Sequence, residues 1–204
     1  NDMAFLKKLL NSAFKNSAHE YAYYYKVDDI LGTGADPLIL ASHMGNTEAV
    51  RLLLKVLHDR HIKDSISQNL SFDYDLRAQR ITPLWAAVNR GHIQISKELL
   101  KKGVDVNKPN VSSYTPLHVA VSNNDIEMVK LLLDSGADKS KKTITEETPL
   151  HLAVLNNDIE MVKLLLDYGA DKSKKNITGD TPLNIAKKKK YIEIQEMLNS
   201  NNKH

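Results

Sequence analysis

Apolar positions along this chain fall into short blocks with helical spacing, and the blocks recur. In "DIEMVKLLLD", which begins at Asp125, Ile126, Val129, Leu132 and Leu133 lie three, three and one residues apart, placing them on one face of a helix. Shorter apolar stretches alternate with these blocks, and "LHLAV" from Leu150 is one of them. Polar, turn-prone residues follow each long block and lead to the next short one. The pattern predicts an all-α chain made of helix pairs joined by polar connectors.

The repeat has a fixed length. Thr-Pro-Leu occurs at Thr82, Thr115, Thr148 and Thr181, each step being 33 residues, and a degenerate Asp36-Pro37-Leu38 lies 46 residues before Thr82, one period plus 13. Threonine is suited to cap a helix, because its hydroxyl accepts from an otherwise unpaired first-turn amide, and Asp36 can do the same. Proline fits the next position, where its missing N–H costs nothing. Small Ala153 lets a neighbouring helix come close. The first helices are expected to stop near Gly45, Gly91, Asn124 and Asn157, and the second at Gly103, Gly136 and Gly169, since glycine and asparagine best tolerate the left-handed backbone of a helix stop. Between Asn123 and Leu150, 24 of 28 positions recur 33 residues later.

On these residues the chain resembles the ankyrin-repeat family, whose unit is a helix–turn–helix–β-hairpin. "TPLHVAVSNNDIEMVKLLLDSGAD" carries the resemblance most fully, and the match spans roughly Leu31 to Ser200. It implies a solenoid of about five repeats stacked side by side, over residues 31–57, 77–109, 110–142, 143–175 and 176–200. One such unit cannot bury its apolar face alone, whereas stacked units share a continuous core. In the final unit Gln195 replaces the Val129-type residue, Asn199 replaces the Leu133-type residue, and Lys187 to Lys190 occupy the end of the first helix. These changes read as a polar terminal cap, followed by a disordered tail at 201–204. Residues 1–30 read as a capping helix with the stripe Phe5, Leu6, Leu9 and Leu10 and a tyrosine-rich connector; further repeats or another domain preceding them is the competing reading. The 13 additional residues map to an inserted loop at about 58–76, with Val56, Leu57 and Ile62 available to lengthen the preceding helix. Insertions in repeat arrays map to loops, often on the binding face.

Composition narrows the chemistry. With 28 basic and 25 acidic side chains the net charge is +3, which does not announce a nucleic-acid or membrane partner. The absence of cysteine excludes disulfide scaffolds and thiolate chemistry, and fits a cytoplasmic setting. No apolar run approaches the length of a membrane span. "GTGADP" at Gly32 lacks the Gly-Lys-Ser/Thr ending of a phosphate loop. Asp125 with Glu127, and Asp158 with Glu160, begin second helices, where acidic groups favour the positive helix end. His58 and His61 could share a metal, but zinc wants three or four protein ligands, and solvated helix residues are the simpler reading. His118 and His151 recur at one repeat position; the resemblance implies a structural role there, tying adjacent hairpins by hydrogen bonds. The expectation is a protein with no catalytic residue, cofactor or metal.

The resemblance also implies where a partner would sit: on the residue before each Thr and on the ends of the first helices. The first set reads Ala35, Ile81, Tyr114, Glu147 and Asp180; the second reads His43, Met44, Asn89, Arg90, Ser122, Asn123, Leu155 and Asn156. Candidate partner-binding residues are therefore Ile81, Asn89, Arg90, Tyr114, Ser122, Asn123, Glu147, Leu155 and Asn156. Trp85 either packs under the enlarged loop or joins Phe72 and Tyr74 in an aromatic contact spot. Lys139, Lys141, Lys142, Lys172, Lys174 and Lys175 form an edge that is either solvated or attracts an anion. The leading expectation is a monomeric, non-catalytic scaffold gripping a protein through its concave face. Two others stand beside it: a targeting segment of a larger enzyme, and a basic-edge binder of nucleic acid or anionic lipid. The Asn-, Lys- and Ile-rich composition suits an AT-rich genome such as that of an intracellular bacterium, and many ankyrin proteins of such organisms are effectors delivered into host cells.

Overall fold

The structure, a computed structural model, describes residues 37–59 and 81–200. They form ten helices and, among the described residues, no strand. The chain divides into two compact units, Asn1–Val111 and Ser112–His204. The first holds α1 (Pro37–His43), α2 (Thr47–Asp59), α3 (Pro83–Asn89) and α4 (Ile93–Lys101). The second holds α5 (Pro116–Ser122), α6 (Ile126–Asp134), α7 (Pro149–Leu155), α8 (Ile159–Asp167), α9 (Pro182–Lys189) and α10 (Ile192–Asn199). The N-terminal helix, the tyrosine-rich connector, Asp36, most of the 58–76 insertion and the tail at 201–204 lie outside the described residues.

Local chemistry sets the helix boundaries. Thr82, Thr115, Thr148 and Thr181 all adopt extended backbone, and each is followed by proline at the first helical position. The Thr82 hydroxyl accepts from Trp85 N–H at 3.1 Å and the Thr181 hydroxyl from Asn184 N–H at 3.2 Å. Asp125 and Asp158 start the second helices by accepting from Met128 and Met161 N–H, both at 3.0 Å. Between paired helices the backbone turns left-handed, at Gly45 (φ +74°), Gly91 (+70°), Asn124 (+56°), Asn157 (+55°) and Lys190 (+63°). The first four are the helix stops expected from sequence; Lys190 is the one for which the residue type gave no signal.

Packing follows the pairs. In the first unit α1 lies against α2 and α3, and α4 against α2 and α3. In the second, α5, α7 and α9 pack in succession, each also against its own partner helix, and α8 meets α10. The buried face of α6 is Met128, Val129 and Leu132, and that of α8 is Met161, Val162 and Leu165, all six fully covered. Leu133 is only half-buried, so the apolar stripe is rotated by one position toward the methionine relative to the expected face. Each such buried side chain contributes about 2 kcal/mol of hydrophobic stabilisation.

The connectors pair too briefly to count as strands. Thr143 N–H donates to Glu147 O at 3.0 Å and Asn176 N–H to Asp180 O at 2.9 Å, each closing a tight turn. Neighbouring turns are stitched by Ile144 N–H to Ser112 O (3.2 Å) and Ile177 N–H to Thr145 O (3.0 Å). One bond per neighbour leaves a hairpin-like finger without a ladder. On the opposite side of α8, the hydroxyl of Tyr168 donates to Asp134 at 2.8 Å, linking one repeat to the previous one. Helix α2, at 13 residues, exceeds the nine of α4, α6 and α8. Val56 and Leu57 fall within that extension, and Ile62 lies outside the described residues.

At Gly45 two constraints meet. Its φ is +74°, and a Cβ there would stand 2.7 Å from His92 Cε1. Gly103, at φ +76°, has nothing within 4 Å of the same point. Gly103→Ala is expected to cost about 1 kcal/mol, the backbone strain alone, and Gly45→Ala about 2 kcal/mol or more because the imidazole must also move. Urea unfolding of the two variants beside the parent checks the order; equal losses would show that the ring yields freely.

Candidate functional site

The histidines recurring at the first-helix N3 position are the most constrained polar groups of the second unit. His118 and His151 are both fully buried. Thr115 N–H donates to His118 Nδ1 at 3.2 Å, and the Thr115 hydroxyl lies 2.8 Å from the same nitrogen. A backbone N–H can only donate, so Nδ1 is the bare nitrogen and the proton sits on Nε2. That N–H donates to Glu147 O at 3.2 Å, in the next hairpin. His151 repeats the arrangement with Thr148 N–H at 3.2 Å, the Thr148 hydroxyl at 2.8 Å and Asp180 O at 3.1 Å. Each imidazole therefore joins its own helix cap to the turn of the following repeat, as the family resemblance implied. Burial pushes the His118 pKa down to about 4, with the backbone acceptors at Glu147 and Lys141 opposing. Burial lowers that of His151 as well. Both are neutral struts with no free nitrogen for catalysis.

The candidate partner residues separate into buried and exposed groups. Ile81 is 0% exposed and Trp85 7% exposed. Neither offers a contact surface, against the expectation that Ile81 faces a partner and that Trp85 joins an aromatic contact spot: both apolar side chains belong to the buried core. Of the two readings of Trp85, packing is the one its burial fits. Phe72 and Tyr74 lie outside the described residues, as does His61; His58 falls within α2, but its side chain is not among those described. Among the described residues no group of three His, Asp, Glu or Cys is placed to hold a metal ion.

At the end of α1 and α3, two candidate positions come together. Arg90 donates through Nε (3.2 Å) and Nη2 (2.9 Å) to His43 Nε2, which leaves the imidazole proton on Nδ1. His92 Nε2 donates to His43 O at 3.1 Å. Burial, then the charges of Arg90 and His92, lower the His43 pKa. Asn89 is half-buried beside this group and Arg90 is exposed. This His–Arg contact, spanning two repeats, was not anticipated; only the shared repeat position of the two residues hinted at it.

In the second unit the ends of α5 and α7 are open to solvent. Ser122, Asn123 and Asn156 are exposed and Leu155 is half-buried. Tyr114 is half-buried, its ring tilted 56° against His118 at a centroid separation of 5.7 Å. Burial, and then the charge of Glu147, raise its pKa. Glu147, also half-buried, accepts from the Thr145 hydroxyl at 2.8 Å. Tyr114 and Glu147 thus brace the finger as much as they face outward.

The expected basic edge is largely committed to local partners. Lys142 bonds Glu146 Oε2 and Lys175 O, both at 2.9 Å. Lys172 donates to Leu198 O (2.8 Å) and Ser200 O (2.9 Å), capping the end of α10. Lys141 and Lys174 lie 4.0 and 3.5 Å from Asp138 and Asp171. Lys188 reaches Asp180 Oδ1 at 2.7 Å and Oδ2 at 2.6 Å, and this ammonium, with the Thr178 hydroxyl, holds the Asp180 carboxyl below its ordinary pKa.

The buried imidazole makes acid stability a test of the tie. An unfolded histidine titrates at 6.5 and the folded His118 at about 4, so the unfolded state takes up the proton first as pH falls. The contribution is complete above pH 6.5 and is lost as pH drops toward 4. Between about pH 7.5 and pH 5 the chain is expected to lose about 2 kcal/mol through His118. His118→Gln should be less stable at neutral pH and should flatten that slope, read from urea midpoints at the two pH values. An unchanged slope would place a proton acceptor other than His118 at the origin of the acid loss.

The family models agree with this geometry. A model described as "Ankyrin repeats (3 copies)" matches residues 60–143 and 139–204. A single-unit model, "Ankyrin repeat", matches residues 33–65. Together they run from residue 33 to residue 204, over the paired helices, left-handed stops and histidine ties described above. The chain belongs to the ankyrin-repeat family.

Proposed function

We propose that this protein is a non-catalytic binding module that grips a protein partner along the concave face formed by the first-helix ends and the fingers. Ankyrin repeats are typically protein–protein interaction modules. The observation that carries the reading for this chain is the contrast between adjacent repeat positions. The second-helix face and the histidine position are invariant in burial across α5–α8, whereas Ser122, Asn123 and Asn156 are exposed and Leu155 half-buried at the helix ends. Groups that stability does not require are free to be shaped by a partner. The Thr115–His118 and Thr148–His151 pairs are fully buried, and both nitrogens of each imidazole are engaged by backbone groups, which supports a structural role for them. No described helix is long and apolar enough to cross a membrane.

Two bulky substitutions on the proposed face test this. Ser122→Trp with Asn156→Trp is expected to reduce capture of proteins retained by the parent chain at least tenfold, with a melting midpoint within about 2 °C of the parent. Lys130→Glu with Lys163→Glu, both exposed on second helices, should leave capture unchanged. Capture lost only in the second pair would move the binding face to the outer helices.

A further inference from the structure

The turn from α9 into α10 is built differently from the other four. At the left-handed position the earlier repeats carry Gly45, Gly91, Asn124 and Asn157, and here Lys190 holds φ +63°. A side chain without the local hydrogen bonding of asparagine gains nothing from that backbone, and the strain is commonly kept where a residue has another use. Lys190 is the last of four consecutive lysines. Lys188 is committed to Asp180. Lys187, Lys189 and Lys190 are exposed, and their ammonium groups have no partner among the described residues. A basic residue in the last turn of a helix is favourable, but the effect falls off within that turn and needs neither three free charges nor a strained one.

The surroundings decide which anion fits. Lys188 and Lys189 stand one period after Leu155 and Asn156, and α9 packs on α7. The open face of this unit therefore runs from Ser122 and Asn123, through half-buried Leu155 and exposed Asn156, to the lysines, and Ile192 beside them is 62% exposed. That is an apolar step next to a local cluster of positive charge. The unit as a whole is neutral in formal charge, with thirteen lysines against thirteen carboxylates, so it presents no broad positive field to a membrane or to a long polyanion. Tyr168 is engaged with Asp134, and Tyr191 beside Lys190 is half-buried, so no run of exposed aromatic faces accompanies the lysines.

We infer that the α9–α10 turn is the acidic-segment contact of the binding face: Lys187, Lys189 and Lys190 receive the carboxylates of a short Asp/Glu-rich stretch of the partner protein, whose apolar neighbour rests on Leu155. This rests on the protein-binding reading above and adds the chemistry of the partner to it.

A fluorescein-labelled peptide of eight glutamates flanking a central leucine is the probe, with fluorescence anisotropy as the readout on the full chain. The parent is expected to bind it, more weakly as salt rises. Lys187→Gln, Lys189→Gln and Lys190→Gln together should weaken binding at least tenfold. Lys190→Asn alone should weaken it about threefold and raise the melting midpoint by about 2 °C, because asparagine relieves the strained turn. A purely structural lysine would give neither the salt response nor the opposed shifts in affinity and melting. Failure of the parent to bind the peptide, or equal affinity in the triple variant with an unchanged circular-dichroism spectrum, overturns the inference. So does stronger binding to phosphatidylserine vesicles or single-stranded DNA than to the peptide. If the triple variant keeps a captured partner that Ser122→Trp with Asn156→Trp releases, this inference falls while the binding-module reading stands.

Discussion

No helix pair in this protein can hide its apolar face without a neighbour. A first helix of seven residues and a second of nine are each too short to persist in water, where isolated helices need roughly twelve to fifteen residues to be even marginal. Met128, Val129 and Leu132 are fully buried, and Met161, Val162 and Leu165 are buried alike one period on. The remaining features serve that stacking. Threonine caps and left-handed stops fix where each helix begins and ends, so that every pair offers the same surface to the next. The imidazoles of His118 and His151 then tie each cap to the following finger.

The division of labour between positions follows. Residues whose burial is required by the stack cannot vary without loss, and those at the first-helix ends can. This is why the His43–Arg90 contact in one unit and the lysine-rich turn in the other occupy equivalent places in the repeat yet differ completely in chemistry. A scaffold of this kind separates what holds it together from what it can hold.

Much of the architecture was legible in the residues. Thr-Pro at a constant spacing located the helix starts, and glycine or asparagine located four of the five left-handed turns between paired helices, because these residues carry their conformational preference wherever they stand. The recurrent histidine was legible only through family resemblance, since the acceptor for its Nε2 lies 29 residues away and no local pattern names it. Surface assignments failed where they relied on residue position alone: Ile81 precedes a Thr as Tyr114 does, yet it is buried, because side-chain polarity rather than repeat position decides what the core absorbs. The face of α6 was off by one residue because a long, unbranched methionine can reach the interface from a flanking position. The commitment of most edge lysines to neighbouring carboxylates and carbonyls depends on distances that a one-dimensional pattern does not contain.

Helices α6 and α8 have identical sequences, IEMVKLLLD, and bury the same three positions. Their seats are therefore nearly degenerate: during folding, α8 could occupy the berth of α6 at little cost in hydrophobic burial, looping out a whole unit. Discrimination falls to the few sites where the copies diverge. Tyr168 stands where the earlier copy has Ser135, and its hydroxyl marks the correct frame by reaching back to Asp134. An outward-facing tyrosine that does little for the core thus becomes a fiducial, telling two otherwise interchangeable modules apart.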